Sequence, residues 1–302
     1  MTLPQTQQVD RLVQRLPVIG QSSTHSAFEA VQQAAIAAGG VPLSIERQEA
    51  RPHQLPQLVP LLRGEDFVGA LVEAPHKEKV AALVDGLSDD ARLTGAVNVI
   101  VRDGDRLQGY NTDVDGVRAG LIALIGEEAV WPDDALVLGA GGGARAVVAV
   151  LLGAGVAKVS VFNRHLHRAE ALVAHFARAA KHTDLRARPW HESIIEAELG
   201  HARLVVNSSG IGVQEGESPI PAHLLPDGLH VLDLVLHHDV TPLMRDTQER
   251  GGTVANGQAA FLASSAATFQ LLTGEKAPAD VMRAALADTL GLPVEHMAVV
   301  GD

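Results

Sequence analysis

The chain has 302 residues, a formal net charge of −12 and no cysteine. The negative charge disfavours nucleic acid and anionic membranes as partners, because both require clustered Lys and Arg. The lack of cysteine excludes disulfides, thiolate metal sites and thiolate nucleophiles. The first residues carry no signal-peptide pattern, and the longest apolar run, residues 146–157, is too short to span a bilayer. We therefore expect a soluble cytoplasmic protein of about two domains.

Strand and helix patterns alternate through residues 1–113. The predicted strands are "LPVIG", "VPLSIE" and "FVGALVEA". The predicted helices are "HSAFEAVQQAAIAAGG", "LPQLVPLLRG" and "KEKVAALVDGL". The run "AVNVIVRDGDRLQGY" predicts a hairpin about the Asp103-Gly104 turn. These patterns predict that this part of the chain forms one α/β unit.

A second α/β set follows a helix that begins at Asp113. Its strands are "ALVLG", "KVSVFNR", "RLVVNSS" and "HVLDLVL", and a helix, "LHRAEALVAHFARAA", follows the second of them. This order predicts a doubly wound parallel sheet with right-handed crossovers. Two helical stretches follow Gly257, and we expect them to pack back on the first unit, which leaves a cleft between two lobes.

The stretch "VLGAGGGARAV" is a strand, a glycine-rich turn and a helix. The glycines permit a tight turn and let backbone N–H groups approach a pyrophosphate at the helix N-terminus. The spacing differs from the usual fingerprint, so a plain strand-to-helix loop is the alternative. We predict that a dinucleotide binds at Gly139, Ala140, Gly141, Gly142 and Gly143.

The next strand ends in Asn163, Arg164 and His165, without the acid that would bind a ribose 2′-hydroxyl. An arginine here suits the 2′-phosphate of NADP, so these three residues are predicted to bind NADP rather than NAD. His165 and His167, and the run "HHD" at 237–239, have no further metal ligand near them in the sequence. We assign no metal.

Several segments together resemble the shikimate/quinate dehydrogenase family over residues 17–290. In chain order they are "VIGQSSTHS", "APHKE", "GAVNVIVRDGDRLQGYNTDVDGV", the glycine loop, "DLVLHHDVTPLM" and "ANGQAAFLASSAATF". Glutamyl-tRNA reductase has a similar nucleotide half but requires a catalytic cysteine. The resemblance implies a substrate domain of residues 1–113 plus 257–302, and a Rossmann-type NADP-binding domain of residues 114–256.

The resemblance implies a catalytic pair, Lys77 and Asp113. Hydride reduction of a ketone leaves an alkoxide that an ammonium group can stabilise and protonate. The alternative is that Lys77 is an ordinary surface lysine. The family pattern further implies that Ser26 binds the substrate carboxylate and Asn98 a substrate hydroxyl. It also implies cofactor contacts on the nicotinamide side from Asn207, Leu234 and Gly257.

The substrate-reading positions depart from the family pattern. The second of two paired serines is Phe28, and Glu29 replaces the proline after it. Two polar positions before the Pro-His-Lys motif are Leu71 and Glu73, a tyrosine is Leu236 and a glutamine is Ser264. At roughly 0.5–1.5 kcal/mol per hydrogen bond, about five weakened contacts amount to some 3–7 kcal/mol of lost recognition. Glu73 either faces the substrate or pairs with Lys77 or Lys79.

Three functions remain open. The first is an NADP-dependent dehydrogenase that interconverts shikimate and 3-dehydroshikimate, and the second is the same chemistry on a less hydroxylated or differently charged cyclic substrate. The third is a non-catalytic NADP-binding sensor, which the fold alone does not exclude. A small-molecule substrate is expected in the first two cases. The oligomeric state is open, with a homodimer as one option.

Overall fold

The computed structural model describes residues 13–21, 26–236 and 238–297. Two six-stranded sheets, each flanked by helices, account for most of them. The α/β class and the two-sheet architecture predicted from the sequence are confirmed. His237, which belonged to the run considered for a metal site, lies outside the described residues.

The first sheet is mixed and has the strand order β2-β1-β3-β5-β6-β4. Its strands are β1 (Gln14–Gly20), β2 (Leu43–Glu49), β3 (Gly69–Val72), β4 (Gly86–Leu87), β5 (Val99–Asp103) and β6 (Arg106–Tyr110). Strands β1, β2 and β3 run parallel, whereas β5 is antiparallel to both β3 and β6. The β5–β6 pair is the predicted hairpin.

The second sheet is entirely parallel, with the order β12-β11-β10-β7-β8-β9. Its strands are β7 (Asp134–Leu138), β8 (Lys158–Asn163), β9 (Asp184–Pro189), β10 (Leu204–Asn207), β11 (His230–Asp233) and β12 (Thr253–Asn256). This is the doubly wound order in which ligands bind where the strand order reverses, between β7 and β10. The reversal point lies beside the glycine loop that follows β7.

Eleven α-helices occupy the described residues. They are α1 (Ala27–Gly39), α2 (Leu55–Leu58), α3 (Lys77–Val80), α4 (Asp89–Thr94), α5 (Asp113–Ile125), α6 (Gly142–Gly153), α7 (Leu166–Phe176), α8 (Glu192–Leu199), α9 (Pro242–Glu249), α10 (Gln258–Thr273) and α11 (Ala279–Leu290). Helices α10 and α11 pack against α1, and α10 also packs along α5. The two C-terminal helices therefore return to the first sheet.

Two predicted helices are shorter than expected. The run beginning at Lys77 is helical only to Val80, because Asp85 turns back to accept a hydrogen bond from the Leu107 backbone N–H and β4 follows. The run beginning at Leu55 changes to a 3₁₀-helix at Val59, next to Pro60, which lacks a backbone N–H. Strands β9 and β12 and helices α4, α8 and α9 had no counterpart in the sequence prediction.

Candidate active site

Lys77 and Asp113 meet at the carboxyl edge of the first sheet. Lys77 is the first residue of α3, shortly after β3, and Asp113 is the first residue of α5, shortly after β6. The Lys77 Nζ lies 2.6 Å from the Asp113 Oδ2, and each side chain remains about one-fifth exposed (21% and 19%). The pair is therefore preformed and still open to a ligand.

Asn98 holds the turn that carries Asp113. Its Nδ2 donates to the Thr112 Oγ1 at 2.8 Å and to the Asp113 Oδ1 at 3.2 Å. Its Oδ1 accepts from the Thr112 backbone N–H at 2.9 Å. Asn98 is buried, so these bonds orient the aspartate toward the lysine. The substrate contact predicted for Asn98 stays a prediction.

The Lys77–Asp113 pair lies beside the glycine loop of the second sheet. A Cβ added to Gly142, the first residue of α6, would lie 3.2 Å from the Lys77 Cδ. The aliphatic part of the lysine therefore passes over the N-terminus of α6. The predicted proton donor and the predicted dinucleotide loop are therefore close together, as hydride transfer to a carbonyl would require.

The glycine loop has the backbone geometry of a phosphate cradle. Gly139 has φ +115°, and a Cβ there would lie 2.7 Å from the Ser208 carbonyl oxygen, so only glycine fits. A Cβ on Gly141, the N-cap of α6, would have no atom within 4 Å. Space is therefore open beside the N-cap of α6, and the first N–H groups of an α-helix have no acceptor within the helix, which is the arrangement that an anion site at a helix N-terminus uses.

A pocket joins this loop to the end of β8. It is lined by Gly139, Ala140, Gly141, Asn163, Arg164, His165, Arg168, Trp190, Ser208, Ser209 and Ile211. The structure thus brings together six residues that were predicted to bind the cofactor. Arg164 and Arg168 are both exposed, so their guanidinium groups can reach a bound phosphate. The glycine cradle and two cations fit a phosphorylated dinucleotide.

Sequence reasoning missed Arg168, Trp190 and the two serines of this pocket. Arg168 lies in the first turn of α7, shortly after Arg164 in the sequence, and that proximity was a usable signal. Trp190 follows the edge strand β9, and the serines follow β10. Their place in the pocket depends on the strand order, which the sequence does not state.

Asn207, which was predicted to contact the nicotinamide half of the cofactor, belongs to a buried hydrogen-bond network. The Asn207 Nδ2 donates to the Asp233 Oδ1 at 2.8 Å and to the Ile211 carbonyl oxygen at 2.9 Å. Burial raises the pKa of Asp233, although hydrogen bonds from Thr241, the Val235 N–H and Asn207 oppose this. The sequence analysis did not predict that Asp233 accepts a hydrogen bond from Asn207. Asn207 acts here as a tie between β10 and β11, and its cofactor contact stays a prediction.

Gly257 and Leu234 are in direct backbone contact. A Cβ on Gly257 would lie 2.8 Å from the Leu234 carbonyl carbon and oxygen. Gly257→Ala must therefore move the segment after β11 away from the start of α10. We expect this substitution to cost about 1–3 kcal/mol of unfolding free energy and to weaken NADP binding.

Urea unfolding and an NADP titration measure the two effects of Gly257→Ala. Gly153→Ala is the matched control, because a Cβ there meets no atom within 4 Å. Wild-type stability together with wild-type NADP affinity in the Gly257→Ala variant would contradict the prediction.

Arg145 ties the nucleotide helix to the catalytic segment. Its Nη1 donates to the Thr94 carbonyl oxygen at 2.9 Å, and its Nη2 donates to the Glu78 Oε2 at 2.9 Å. Glu78 follows Lys77 on α3, so Arg145 connects α6 to the helix that carries the lysine.

We expect Arg145→Met to lower the unfolding free energy by about 1.5–3 kcal/mol, because a mostly buried guanidinium loses two hydrogen bonds. Urea unfolding measures this, with Arg118→Met, an exposed arginine on α5, as the control. Equal stability of the two variants would show that the tie between α6 and α3 contributes nothing.

Two family models match this chain. Residues 18–100 match the shikimate dehydrogenase substrate binding domain, and residues 127–199 match shikimate / quinate 5-dehydrogenase. A shikimate dehydrogenase (NADP(+)) of Symbiobacterium thermophilum is 38% identical over 289 residues, which cover 92% of this chain and 95% of that protein. The chain belongs to the shikimate dehydrogenase family.

Solved structures of the family share the fold. Shikimate 5-dehydrogenase from Thermus thermophilus, in complex with NADP(H) and shikimate, has a TM-score of 0.76 and 33% identity, covering 92% of this chain and all (100%) of that one. Quinate dehydrogenase from Corynebacterium glutamicum, in complex with NAD, has a TM-score of 0.80 and 26% identity, covering 91% and 99%. The family resemblance read from the sequence is confirmed.

Glu73, which departs from the family pattern, pairs with an arginine. The Arg47 Nη2 lies 2.6 Å from the Glu73 Oε2, and the Arg47 Nη1 lies 3.3 Å from the Glu29 Oε2. The alternative in which Glu73 pairs with Lys77 or Lys79 is therefore wrong, and its contact with substrate stays a prediction. Arg47 lies on β2, and only the parallel pairing of β2, β1 and β3 brings it to Glu73.

The other residues predicted to contact the substrate make contacts within the protein. Ser26 caps α1, and its Oγ accepts from the Glu29 backbone N–H at 3.1 Å. Phe28 packs edge-to-face on Phe261, with ring centroids 5.9 Å apart. The Ser264 Oγ lies 3.1 Å from the Thr112 Oγ1. The substrate contacts predicted for Ser26, Phe28 and Ser264 stay predictions.

Leu236 is partly buried in the segment after β11. Its substrate contact also stays a prediction. Among the described residues, no group of three or more His, Cys, Asp or Glu side chains could hold a metal ion. Within the same residues, no helix is long and apolar enough to cross a membrane.

Proposed function

We propose that this protein is an NADP-dependent oxidoreductase that interconverts a cyclic secondary alcohol and the corresponding ketone. Shikimate and 3-dehydroshikimate are the family's default pair. The observation that carries the proposal is the 2.6 Å Lys77–Asp113 pair, set beside the glycine loop. The 38% identity to a shikimate dehydrogenase (NADP(+)) supports the same activity.

In this proposal the cofactor supplies the hydride and the protein side chains handle the proton. NADPH, when bound, supplies the hydride. Lys77, as an ammonium group, stabilises the alkoxide oxygen and donates the proton that completes the alcohol. In the reverse direction, the neutral amine of Lys77 accepts the hydroxyl proton. Asp113 holds the lysine nitrogen in position, and Asn98 in turn orients Asp113.

The cofactor is assigned to the pocket between the glycine loop and β8. The N–H groups at the start of α6 suit the pyrophosphate, and Arg164 with Arg168 suits the 2′-phosphate. Neither arginine forms an ion pair with another described residue, so both charges are available to a phosphate. This supports NADP over NAD.

The domain division belongs to the same proposal. We assign residues 1–113 plus 257–302 to the substrate domain and residues 114–256 to the NADP-binding domain. The packing of α10 and α11 on α1 supports this division. The proposed compartment is the cytoplasm and the candidate assembly is a homodimer, which light scattering after size exclusion tests.

A cofactor-absorbance assay at mildly alkaline pH tests the function. It offers NADP, and separately NAD, with shikimate, quinate and simpler cyclic alcohols. We expect reduction of NADP by at least one of these compounds. NADP binding without turnover of any compound would overturn the enzyme proposal in favour of a non-catalytic NADP sensor.

A further inference from the structure

Trp190 is a partly buried tryptophan at the end of the edge strand of the second sheet. It directly follows β9, whose last residue, Pro189, is paired in register with Asn163 at the end of β8. The indole packs against the apolar core that contains Phe162 and Ile195, and it also lines the pocket assigned to the cofactor. Because packing restrains the indole while it still borders the pocket, it offers a preformed apolar surface to a ligand.

Trp190 lies on the side of the pocket where the adenosine half of a dinucleotide is expected. In a doubly wound sheet, the glycine loop binds the pyrophosphate and the end of the next strand binds the ribose that carries the adenine. Here the glycine loop follows β7 and Arg164 follows β8, and β9 is the next strand in the same direction. The adenine, which lies beyond that ribose, is therefore expected at the end of the pocket that contains Trp190.

The other lining residues leave Trp190 as the best stacking surface in the pocket. The large apolar side chains of the lining are Trp190 and Ile211, and Ile211 has no ring. His165 also lines the pocket, but it is exposed at the N-cap of α7, so packing does not restrain its ring. Nucleobases stack on aromatic side chains through the flat faces of both rings. A purine base therefore finds one restrained aromatic partner here, the indole of Trp190.

We propose that Trp190 is the stacking surface for the adenine ring of the cofactor. This inference rests on the proposed function, whose cofactor assignment it takes as given, and it adds the residue that binds the base. Stacking does not depend on the 2′-phosphate, so Trp190 contributes equally to the affinity for NADP and for NAD. The preference between the two dinucleotides comes instead from Arg164 and Arg168.

Calorimetric titrations of the full chain test the contact through the variant Trp190→Ala. The ligands are NADP, NAD and adenosine 2′,5′-bisphosphate, which all contain adenine. We expect Trp190→Ala to weaken the binding of all three by a similar factor, about 5- to 150-fold, the range found when base–aromatic stacking is removed. Trp131→Ala is the matched control, because Trp131 is also partly buried against a core but does not line the pocket. Trp190→Phe keeps an aromatic ring and should recover most of the affinity.

Tryptophan fluorescence gives a second measurement that leaves Trp190 in place. The chain has two tryptophans, so Trp131→Phe leaves Trp190 as the only one. We expect adenosine 2′,5′-bisphosphate to change the emission of Trp190, because a stacked base alters the surroundings of the indole. Nicotinamide mononucleotide, which contains no adenine, should leave the emission unchanged. Trp190→Leu keeps an apolar side chain against the core and repeats the titrations if Trp190→Ala does not fold.

Three results would overturn the inference. The first is wild-type affinity for all three adenine ligands in the variant without the indole. The second is emission of Trp190 that responds to nicotinamide mononucleotide but not to adenosine 2′,5′-bisphosphate. The third is a loss of NADP affinity with unchanged NAD affinity, which would make Trp190 a residue that reads the 2′-phosphate. Turnover with NADP by the wild type keeps the proposed function in all three cases, whereas a wild type that does not bind NADP would overturn both.

Discussion

Replacing Lys77 with methionine is expected to lower kcat by about 10²–10⁴-fold, the range that general acid–base catalysis contributes. Methionine keeps an unbranched chain over Gly142 but has no proton to donate. NADP affinity should change little, because the lysine contacts the loop through its aliphatic part. Steady-state kinetics and an NADP titration on the same preparation separate these two effects.

Lys79 supplies the matched control for this experiment. It lies on the same short helix, α3, and is exposed. Lys79→Met should keep wild-type turnover, since no hydrogen bond between described residues joins it to the catalytic pair. Unchanged turnover in Lys77→Met would remove the proton-transfer role and favour the sensor alternative.

Removing both pocket arginines is expected to abolish the preference for NADP. Each charge-assisted hydrogen bond to the 2′-phosphate is worth about 1.5–3 kcal/mol, so Arg164→Ala with Arg168→Ala should weaken NADP binding by about 10²–10⁴-fold. Binding of NAD should change little, because NAD carries no 2′-phosphate. The ratio of the two dissociation constants, measured by titration, reports the effect.

Arg178→Ala is the control for this double variant, because Arg178 is exposed just beyond α7 and does not line the pocket. It removes one positive charge from the same region. A fall in NADP and NAD affinity by equal factors would mean that the two arginines shape the pocket rather than read the phosphate.

The sequence by itself determined the order of most strands and helices and the glycine loop. These features are local, because hydrophobic periodicity and turn geometry are set by neighbouring residues. The glycine loop illustrates this, since glycine permits the tight turn that the sequence predicted and the positive φ found at Gly139. The family motifs extended this local reading to the Lys77–Asp113 pair and to the order of the substrate and nucleotide halves.

Only the tertiary structure decided which distant side chains meet. Arg168, Trp190 and the serines after β10 share one pocket because of the strand order of the second sheet. Arg47 reaches Glu29 and Glu73 because β2 pairs with β1, which in turn pairs with β3. Such contacts join residues far apart in the chain, and a pattern of neighbouring residues does not predict them. The ion pairs of Arg47 are therefore a property of the fold.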